Sequence, residues 1–289
     1  MRHWMGHIGA LLVVVVWGTT FVSSKVLLAS GLHPDEIFFL RFVLAYLILA
    51  MVYHKRWLSD SWRDELTFVA LGLVGGSLYF LAENTALVYS TAANVSILVG
   101  ASPMLTALLV GAVYRSERLS TVQAFGSVVA FVGMALIVLN GQLMLHLNPL
   151  GDALALAAAG TWAVYSLLMR WLGGRYSTMF ITRKVFFYGL LTILPVLFWS
   201  GHIPDWHRLT EPLVLGNLLF LGILASTWCY LLWNHVLKLI GIVRATNYIY
   251  LQSLIAMAAA AIVLHERITW MAILGVVVLI AGLLLVQKS

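Results

Sequence analysis

Glu83 is the only acidic residue well inside one of the long apolar runs of this chain, and Lys25 lies at a comparable depth in the first run. A charge in an apolar medium is costly unless it is paired or hydrated, so both side chains need a partner or water. Their opposite signs predict an ion pair or a hydrated gate. Glu83 also suits two functional roles, as a proton-coupling site or as the partner of a substrate ammonium group.

Side chains that could stack on a substrate recur at helical spacing in two parts of the chain. An indole ring offers a flat apolar wall to a planar or apolar ligand. Packing against neighbouring helices is the alternative interpretation. The two sets, each on one helical face, are Trp17, Thr20 and Phe21 in the first part and Trp162, Tyr165 and Ser166 in the second.

Amide, phenol and aromatic groups form a second candidate set at similar depth. A side-chain amide carries both donors and an acceptor, which suits a neutral or zwitterionic ligand better than a bare ion. Hydrogen bonding between helices explains any single member equally well. The set predicted to contact substrate is Phe80, Asn84, Asn94, Tyr230, Asn234, Tyr248 and Gln252.

The composition restricts the class of protein that could position these side chains. Of the 289 residues 62% are hydrophobic and 10% charged, with a mean hydropathy of +0.97. A soluble domain carries about 25% charged residues. This excludes a soluble enzyme, a disordered chain and a nucleic-acid binder, despite the net charge of +6. The single cysteine, Cys229, excludes an internal disulfide.

The apolar runs predict an all-α membrane protein, because backbone polar groups in lipid must be satisfied within each spanning segment. Each run is long enough for a membrane helix, which needs about 20 residues. Pro103 is expected to break the fourth helix near its centre. The ten predicted spans are 7–29, 35–54, 66–88, 91–113, 121–140, 151–171, 178–200, 212–238, 242–264 and 269–287.

The positions of the cations predict the orientation in the bilayer. With a cytoplasmic N-terminus, all but four of the 17 lysines and arginines lie on or near the inner side. The four exceptions are Lys25, Arg41, Arg208 and Arg267. Both termini are therefore predicted to be cytoplasmic. The protein is predicted to lie in the cell inner membrane. Arg41 and Arg183 begin the second and seventh spans, where reaching to the membrane surface explains them.

An internal repeat divides the chain into residues 1–140 and 151–289. Segment 116–139 aligns with 265–287 without a gap. Five helices per half is an odd number, so the second half must cross the membrane upside down, as in secondary transporters with inverted repeats. Other matched pairs, in order along the chain, are Trp17 with Trp162, Arg41 with Arg183, Gly72 with Gly222, Asn84 with Asn234, Glu117 with Glu266, Gly126 with Gly275 and Gly133 with Gly282.

Several short motifs resemble the drug/metabolite transporter superfamily, and most closely its EamA-type exporters, which include amino-acid exporters. They are the WGTTF segment beginning at Trp17, the FFLRF start of the second span, Ser102-Pro103, and the Glu-Arg turns before the fifth and tenth spans. The resemblance implies ten helices in inverted repeats, cytoplasmic termini and efflux of small metabolites. Ser253, the match of Pro103, departs from the resemblance, because the second half of that family usually has a proline there.

These observations predict a secondary transporter that exports small amphipathic metabolites, including aromatic amino acids, through a central cavity by alternating access. A nucleotide-sugar or phosphate-ester exchanger and a channel-like facilitator are the alternatives. An enzyme is not expected, since the sequence has no G-x-S-x-G or H-E-x-x-H motif. No metal, cofactor or nucleic acid is predicted as a partner. The predicted partners are a small-molecule substrate, the lipid bilayer and, as an option, protons.

Overall fold

Every regular element in the described part of the chain is helical. The structure is a computed structural model that describes residues 2–54, 56–114, 120–139, 148–172, 174–202, 205–263 and 269–288. Glu117 and Glu266, which the repeat pairs with each other, lie outside the described residues.

The described residues of the first matched half form seven helices, two of which are joined by a π-helical segment at Leu73–Ser77. They are α1 (Arg2–Ala29), α2 (Pro34–Val52), α3 (Trp62–Gly72), α4 (Leu78–Tyr89), α5 (Ala92–Val99), α6 (Ser102–Val113) and α7 (Thr121–Leu139).

The second half contains a longer π-helical segment at Phe220–Trp228 and a 3₁₀ turn at Asn247–Tyr250. Its helices are α8 (Pro149–Leu172), α9 (Thr178–Ser200), α10 (Trp206–Leu209), α11 (Pro212–Leu219), α12 (Cys229–Ile240), α13 (Ile242–Thr246), α14 (Leu251–Val263) and α15 (Trp270–Lys288).

Local capping signals place several helix starts. Pro34 opens α2, with two carboxylates in the first turn where they favour the helix dipole. The Ser61 hydroxyl accepts a hydrogen bond from the Asp64 backbone N–H at 3.2 Å, and caps α3. Ser177 caps α9 in the same way. Each cap satisfies a backbone donor that the first helical turn leaves unpaired.

The predicted fourth span is interrupted near its centre, as expected from Pro103. Helix α5 ends at Val99 and α6 begins at Ser102, with Pro103 as its second residue. In the second half α14 runs without interruption through Ser253. The break there is the 3₁₀ turn just before α14, so both halves are interrupted, but only the first uses proline.

Six helical segments in the described residues are long and apolar enough to cross a membrane. Large apolar side chains also cover the outside of the molecule, for example Phe198 at 83% exposure and Trp199 at 94%. Such a surface fits lipid rather than water. The chain is an integral membrane protein, and the full count of ten spans stays a prediction. The six segments are Trp4–Ala29, Trp62–Tyr89, Val95–Val113, Pro149–Leu172, Thr178–Ser200 and Pro212–Ile240.

The two π-helical segments occupy matched positions and pack across the halves. Gly72, the residue just before the first segment, lies so close to α9 that a Cβ there would sit 2.7 Å from the Gly189 nitrogen. Its match Gly222, in the second segment, lies against α2, where a Cβ would sit 2.9 Å from the Leu44 Cβ. Each half therefore lays its π-helical segment against a helix of the other.

Helices α7 and α15 pack in antiparallel directions through glycines. A Cβ on Gly126 would lie 2.9 Å from the Gly282 carbonyl oxygen, and one on Gly133 would lie 2.8 Å from that of Gly275. The partner number falls as the number in α7 rises, which defines the antiparallel direction. Small residues let the two backbones approach this closely.

Candidate functional site

A cavity lined mainly by aromatic side chains lies where the two halves meet. The cavity has a volume of about 30 Å³, room for about two water molecules. A pocket that holds an organic ligand is larger, on the order of 300 Å³ or more, so the cavity is too small for such a ligand in this conformation. Its lining residues are Trp17, Thr20, Phe21, Arg41, Tyr79, Phe80, Glu83, Val99, Ser102, Trp162, Tyr230, Ile249 and Gln252.

Trp17 and Trp162 both line this cavity and contact each other. Their ring centroids lie 5.3 Å apart at an interplanar angle of 88°, an edge-to-face pair. Trp162 also contacts Tyr79 with centroids 5.2 Å apart, and Tyr230 lies 5.9 Å from both indoles. Edge-to-face pairs of this kind are favourable contacts between aromatic rings. The two indoles come from α1 and α8, so both halves supply the aromatic walls.

The π-helical segments present two matched carbonyl groups to these rings. The Trp17 indole N–H donates to the Ala225 carbonyl at 3.0 Å, and the Tyr230 hydroxyl donates to the Gly75 carbonyl at 2.7 Å. The Trp162 indole nitrogen is buried and has no hydrogen-bond partner among the described residues. A buried donor without a partner is unusual, and here it lies on a cavity-lining ring.

Arg41 and Glu83 bring two charges to the same cavity. Arg41 is 2% exposed, its Nε donates to the Ser226 hydroxyl at 2.9 Å, and its guanidinium carbon lies 4.2 Å from the Phe80 ring centroid. Glu83 is 3% exposed and interacts with Arg41 and with Tyr79, one helical turn earlier. The interpretation that Arg41 reaches to the membrane surface is therefore wrong.

The predicted ion pair between Lys25 and Glu83 is also wrong. The Lys25 ammonium donates instead to the carbonyl oxygens of Leu87 at 2.5 Å and Ser90 at 3.0 Å. These carbonyls lie at the C-terminal end of α4, where the helix leaves acceptors unsatisfied and its dipole favours a cation. Lys25 stabilises a helix end outside the cavity.

The other predicted polar residues lie in contacts between helices. The Tyr165 hydroxyl donates to Asn234 Oδ1 at 2.7 Å, and Asn234 Nδ2 donates to the Thr182 hydroxyl. Asn84 Nδ2 donates to the Pro34 carbonyl at 3.2 Å. The alternative of interhelical hydrogen bonding describes these groups in this conformation.

Three further predicted residues also lie away from the cavity lining or outside the described part. The Ser166 hydroxyl donates to the Trp162 carbonyl within α8, and the Tyr248 hydroxyl hydrogen-bonds His7 Nδ1 at 2.7 Å. The Asn94 side chain lies outside the described part of the structure.

The sequence matches a known family twice. The model of the EamA-like transporter family matches residues 4–139 and again residues 149–287. These two matches cover most of the chain. The chain belongs to the EamA-like transporter family. This EamA-like protein is therefore a transporter rather than an enzyme.

Three relatives of this EamA-like transporter are similar over nearly their whole length. A probable amino-acid metabolite efflux pump of Salmonella typhimurium is 30% identical, with 95% of this chain and 92% of that one covered. A probable terminal-alkyne amino-acid exporter of Streptantibioticus cattleyicolor is 27% identical, with 96% and 92% covered. An uncharacterized transporter of Archaeoglobus fulgidus is 30% identical, with 96% of both chains covered.

A solved crystal structure shares the fold of this EamA-like transporter. It aligns with a TM-score of 0.79 over 99% of both chains at 16% sequence identity. At this identity the likeness concerns the fold alone.

Sequence reasoning missed five residues that line the cavity of this EamA-like transporter, and two of them had a signal. Arg41 follows the first residue of α2 by seven positions, or about 10 Å of helix, which is deep for a side chain expected at the surface. Tyr79 precedes Glu83 by four residues and so shares its helical face. The five are Arg41, Tyr79, Val99, Ser102 and Ile249.

Proposed function

We propose that this EamA-like transporter exports small amphipathic metabolites, including aromatic amino acids, through the central cavity. The aromatic walls suit the side chains of such substrates, and the Salmonella typhimurium relative is named as an amino-acid metabolite efflux pump. The proposed substrate contacts are the predicted residues that line the cavity, namely Trp17, Thr20, Phe21, Phe80, Trp162, Tyr230 and Gln252.

One observation carries the proposal. The Trp162 ring is 4% exposed and lines the cavity, yet its indole N–H has no acceptor among the described residues. Leaving a buried donor without a hydrogen-bond partner costs on the order of 1–3 kcal/mol of folding free energy. A substrate with an acceptor group and an apolar body would supply the missing hydrogen bond and stack on the same ring.

The proposed mechanism is alternating access by two inverted five-helix repeats in a ten-helix chain. The antiparallel packing of α7 and α15 supports the inversion. The repeat alignment exchanges Gly126 with Gly275 and Gly282 with Gly133, so it converts one observed glycine contact into the other. Two contacts that exchange under the repeat alignment are expected when the halves are related by a two-fold axis.

The proposed orientation has both termini on the cytoplasmic side of the cell inner membrane. It depends on the positive-inside rule and the 17 lysines and arginines counted above. Coupling to protons through Glu83 stays a prediction, as does export as the direction of transport.

The transport proposal is tested with purified protein in proteoliposomes. Initial rates of counterflow are measured for tryptophan, threonine and a sugar nucleotide, normalised to folded protein. Trp162→Ala should slow tryptophan several-fold to about tenfold, since each 1.4 kcal/mol is a factor of ten. Threonine should be affected less.

Trp233 offers a matched control for this variant. Its indole nitrogen is also buried without a partner, and its ring packs against Trp17, but it does not line the cavity. Trp162→Phe should change the ratio of tryptophan to threonine rates, and Trp233→Phe should not. Sugar-nucleotide transport without amino-acid transport would contradict the proposal, and uptake without any counterflow would indicate a channel.

A further inference from the structure

The two charged side chains of the cavity face the same space without forming a contact ion pair. Glu83 interacts with Arg41 and with the Tyr79 phenol, and Arg41 is anchored on Ser226 and on the Phe80 ring. Of the five N–H donors of the Arg41 guanidinium, only the one at Nε has a hydrogen-bonded partner among the described residues. The group is held in place, and most of its donors are not used.

Buried charges without full hydrogen bonding are expensive, so this arrangement needs a reason. The face of Phe80 compensates part of the cost through a cation–π contact. A structural ion pair would place the guanidinium and carboxylate in direct contact, usually with two parallel hydrogen bonds. Here the two groups lie apart at one cavity that also contains the unpartnered Trp162 N–H.

The sum of the two charges discriminates between classes of ligand. One cation beside one anion leaves no net positive charge to attract a phosphate dianion. A ligand with only an amine is repelled by the Arg41 guanidinium and has no carboxylate to bind it. A ligand with only a carboxylate is repelled by Glu83 and has no ammonium group to bind it. A molecule that carries both charges at one end satisfies both groups.

We propose that Arg41 binds the carboxylate and Glu83 the ammonium group of an α-amino acid, while the indoles of Trp17 and Trp162 receive its side chain. This inference rests on the proposed function and specifies how the substrate backbone is recognised. A guanidinium suits a carboxylate because its planar fork can donate two hydrogen bonds in parallel.

The test measures binding of labelled tryptophan to the purified protein, with two analogues as competitors. Tryptamine lacks the carboxylate, and indole-3-propionate lacks the ammonium group. The wild-type protein should bind tryptophan at least tenfold more tightly than either analogue. Equal affinity for tryptophan and either analogue overturns the inference without the need for any variant.

The variants should produce a crossed pattern. Arg41→Gln should weaken tryptophan at least tenfold and leave tryptamine unchanged or tighter, because tryptamine has no carboxylate to lose and its ammonium group is no longer repelled by the guanidinium. Glu83→Gln should weaken tryptophan and leave indole-3-propionate unchanged or tighter. Arg41→Lys keeps the charge and should retain part of the preference for tryptophan over tryptamine, which provides a second variant if Arg41→Gln fails to fold.

Arg183→Gln is the matched control. Arg183 is the repeat match of Arg41 and is equally buried, but it donates to the carbonyls of Tyr53 and Arg56 and does not line the cavity. Its substitution should leave the ligand ratios unchanged. If Arg41→Gln and Glu83→Gln weaken all three ligands by one factor, the pair is structural and the inference is wrong, although amino-acid transport stands. If the wild-type protein binds and transports no amino acid, the proposed function itself fails.

Discussion

The two halves of the chain contribute unequally to the cavity between them. Four matched pairs of side chains line it, and every lining residue outside those pairs comes from the first half. The pairs are Trp17 with Trp162, Phe80 with Tyr230, Val99 with Ile249 and Ser102 with Gln252. The residues contributed by the first half alone are Thr20, Phe21, Arg41, Tyr79 and Glu83. Matched residues of the two halves therefore form most of the cavity lining. Its two charged side chains are at positions where the halves contribute differently to the lining.

The second half has different side chains, or differently placed ones, at the positions that match Glu83, Tyr79 and Arg41. Glu83 is matched by Trp233, and Tyr79 by Cys229, and neither of these second-half residues lines the cavity. Arg183 is retained but is hydrogen-bonded to backbone carbonyls away from the cavity. In the proposed binding mode the charges that hold the substrate therefore belong to the first half, whereas both halves supply the aromatic walls.

One hydroxyl explains why the two central indoles differ. Tyr230 donates to the Gly75 carbonyl, which matches the Ala225 carbonyl that Trp17 uses. Phe80, the match of Tyr230, has no hydroxyl, so the Ala225 carbonyl is left for Trp17. The Gly75 carbonyl, at the position corresponding to Ala225, accepts from Tyr230, and the Trp162 N–H has no partner among the described residues.

The largest expected effect tests the part of the molecule where the halves are alike. A Cβ on Gly133 would lie 2.3 Å from the Leu279 nitrogen, and one on its match Gly282 would lie 2.3 Å from the Ala130 nitrogen. Gly133→Ala and Gly282→Ala should each reduce the free energy of unfolding by about 3 kcal/mol, because backbone atoms must move apart. Thermal unfolding in detergent measures this.

Gly160→Ala is the control for these two substitutions. Nothing lies within 4 Å of a Cβ at Gly160, so this change should stabilise α8 by about 0.5–1 kcal/mol through backbone entropy. Clearly different losses at Gly133 and Gly282 would break the comparison between the halves.

A smaller effect separates charges that stabilise the fold from charges that face the cavity. Lys25→Met should lower the free energy of unfolding by about 2 kcal/mol, since two hydrogen bonds from a charged group to the end of α4 are lost. The ratio of tryptophan to threonine transport should stay the same. A changed ratio with unchanged stability would instead return Lys25 to the role of a gate.

The smallest effect sharpens the difference between the two indoles. Trp17→Phe removes a hydrogen bond to the Ala225 carbonyl and should cost about 1 kcal/mol more in stability than Trp162→Phe, whose indole has no partner to lose. The two variants are compared by thermal unfolding without substrate. Added tryptophan should stabilise the wild-type protein more than Trp162→Phe.

The aromatic walls were predictable because two independent signals agreed. Trp17 and Trp162 share a helical face with other candidates, and each is the match of the other in the repeat. Helical spacing fixes which side chains share a face, and the repeat indicates that the two faces meet. The break at Pro103 was predictable for the simpler reason that proline lacks a backbone donor.

The charged part of the site was not predictable to the same degree. Lys25 and Glu83 lie at similar depth, but depth does not fix the direction in which a side chain points around its helix. The π-helical segments add to this difficulty, because an extra residue in a turn rotates the face of the helix that follows. Glu83 and Asn84 follow Leu73–Ser77, and only Glu83 lines the cavity.

The account depends most on the claim that the two halves cross the membrane in opposite directions. Leu58, at 75% exposure, and Trp206, the first residue of the short helix α10 and 77% exposed, lie in the matched segments that precede the two helices with π-helical segments. Leu58→Cys and Trp206→Cys are made separately in a Cys229→Ser background and treated with an impermeant maleimide in sealed cells and in inverted membrane vesicles. We predict that Leu58→Cys labels only in the vesicles and Trp206→Cys only in the cells. Labelling of both from the same side would contradict the inverted repeat and the alternating-access mechanism built on it.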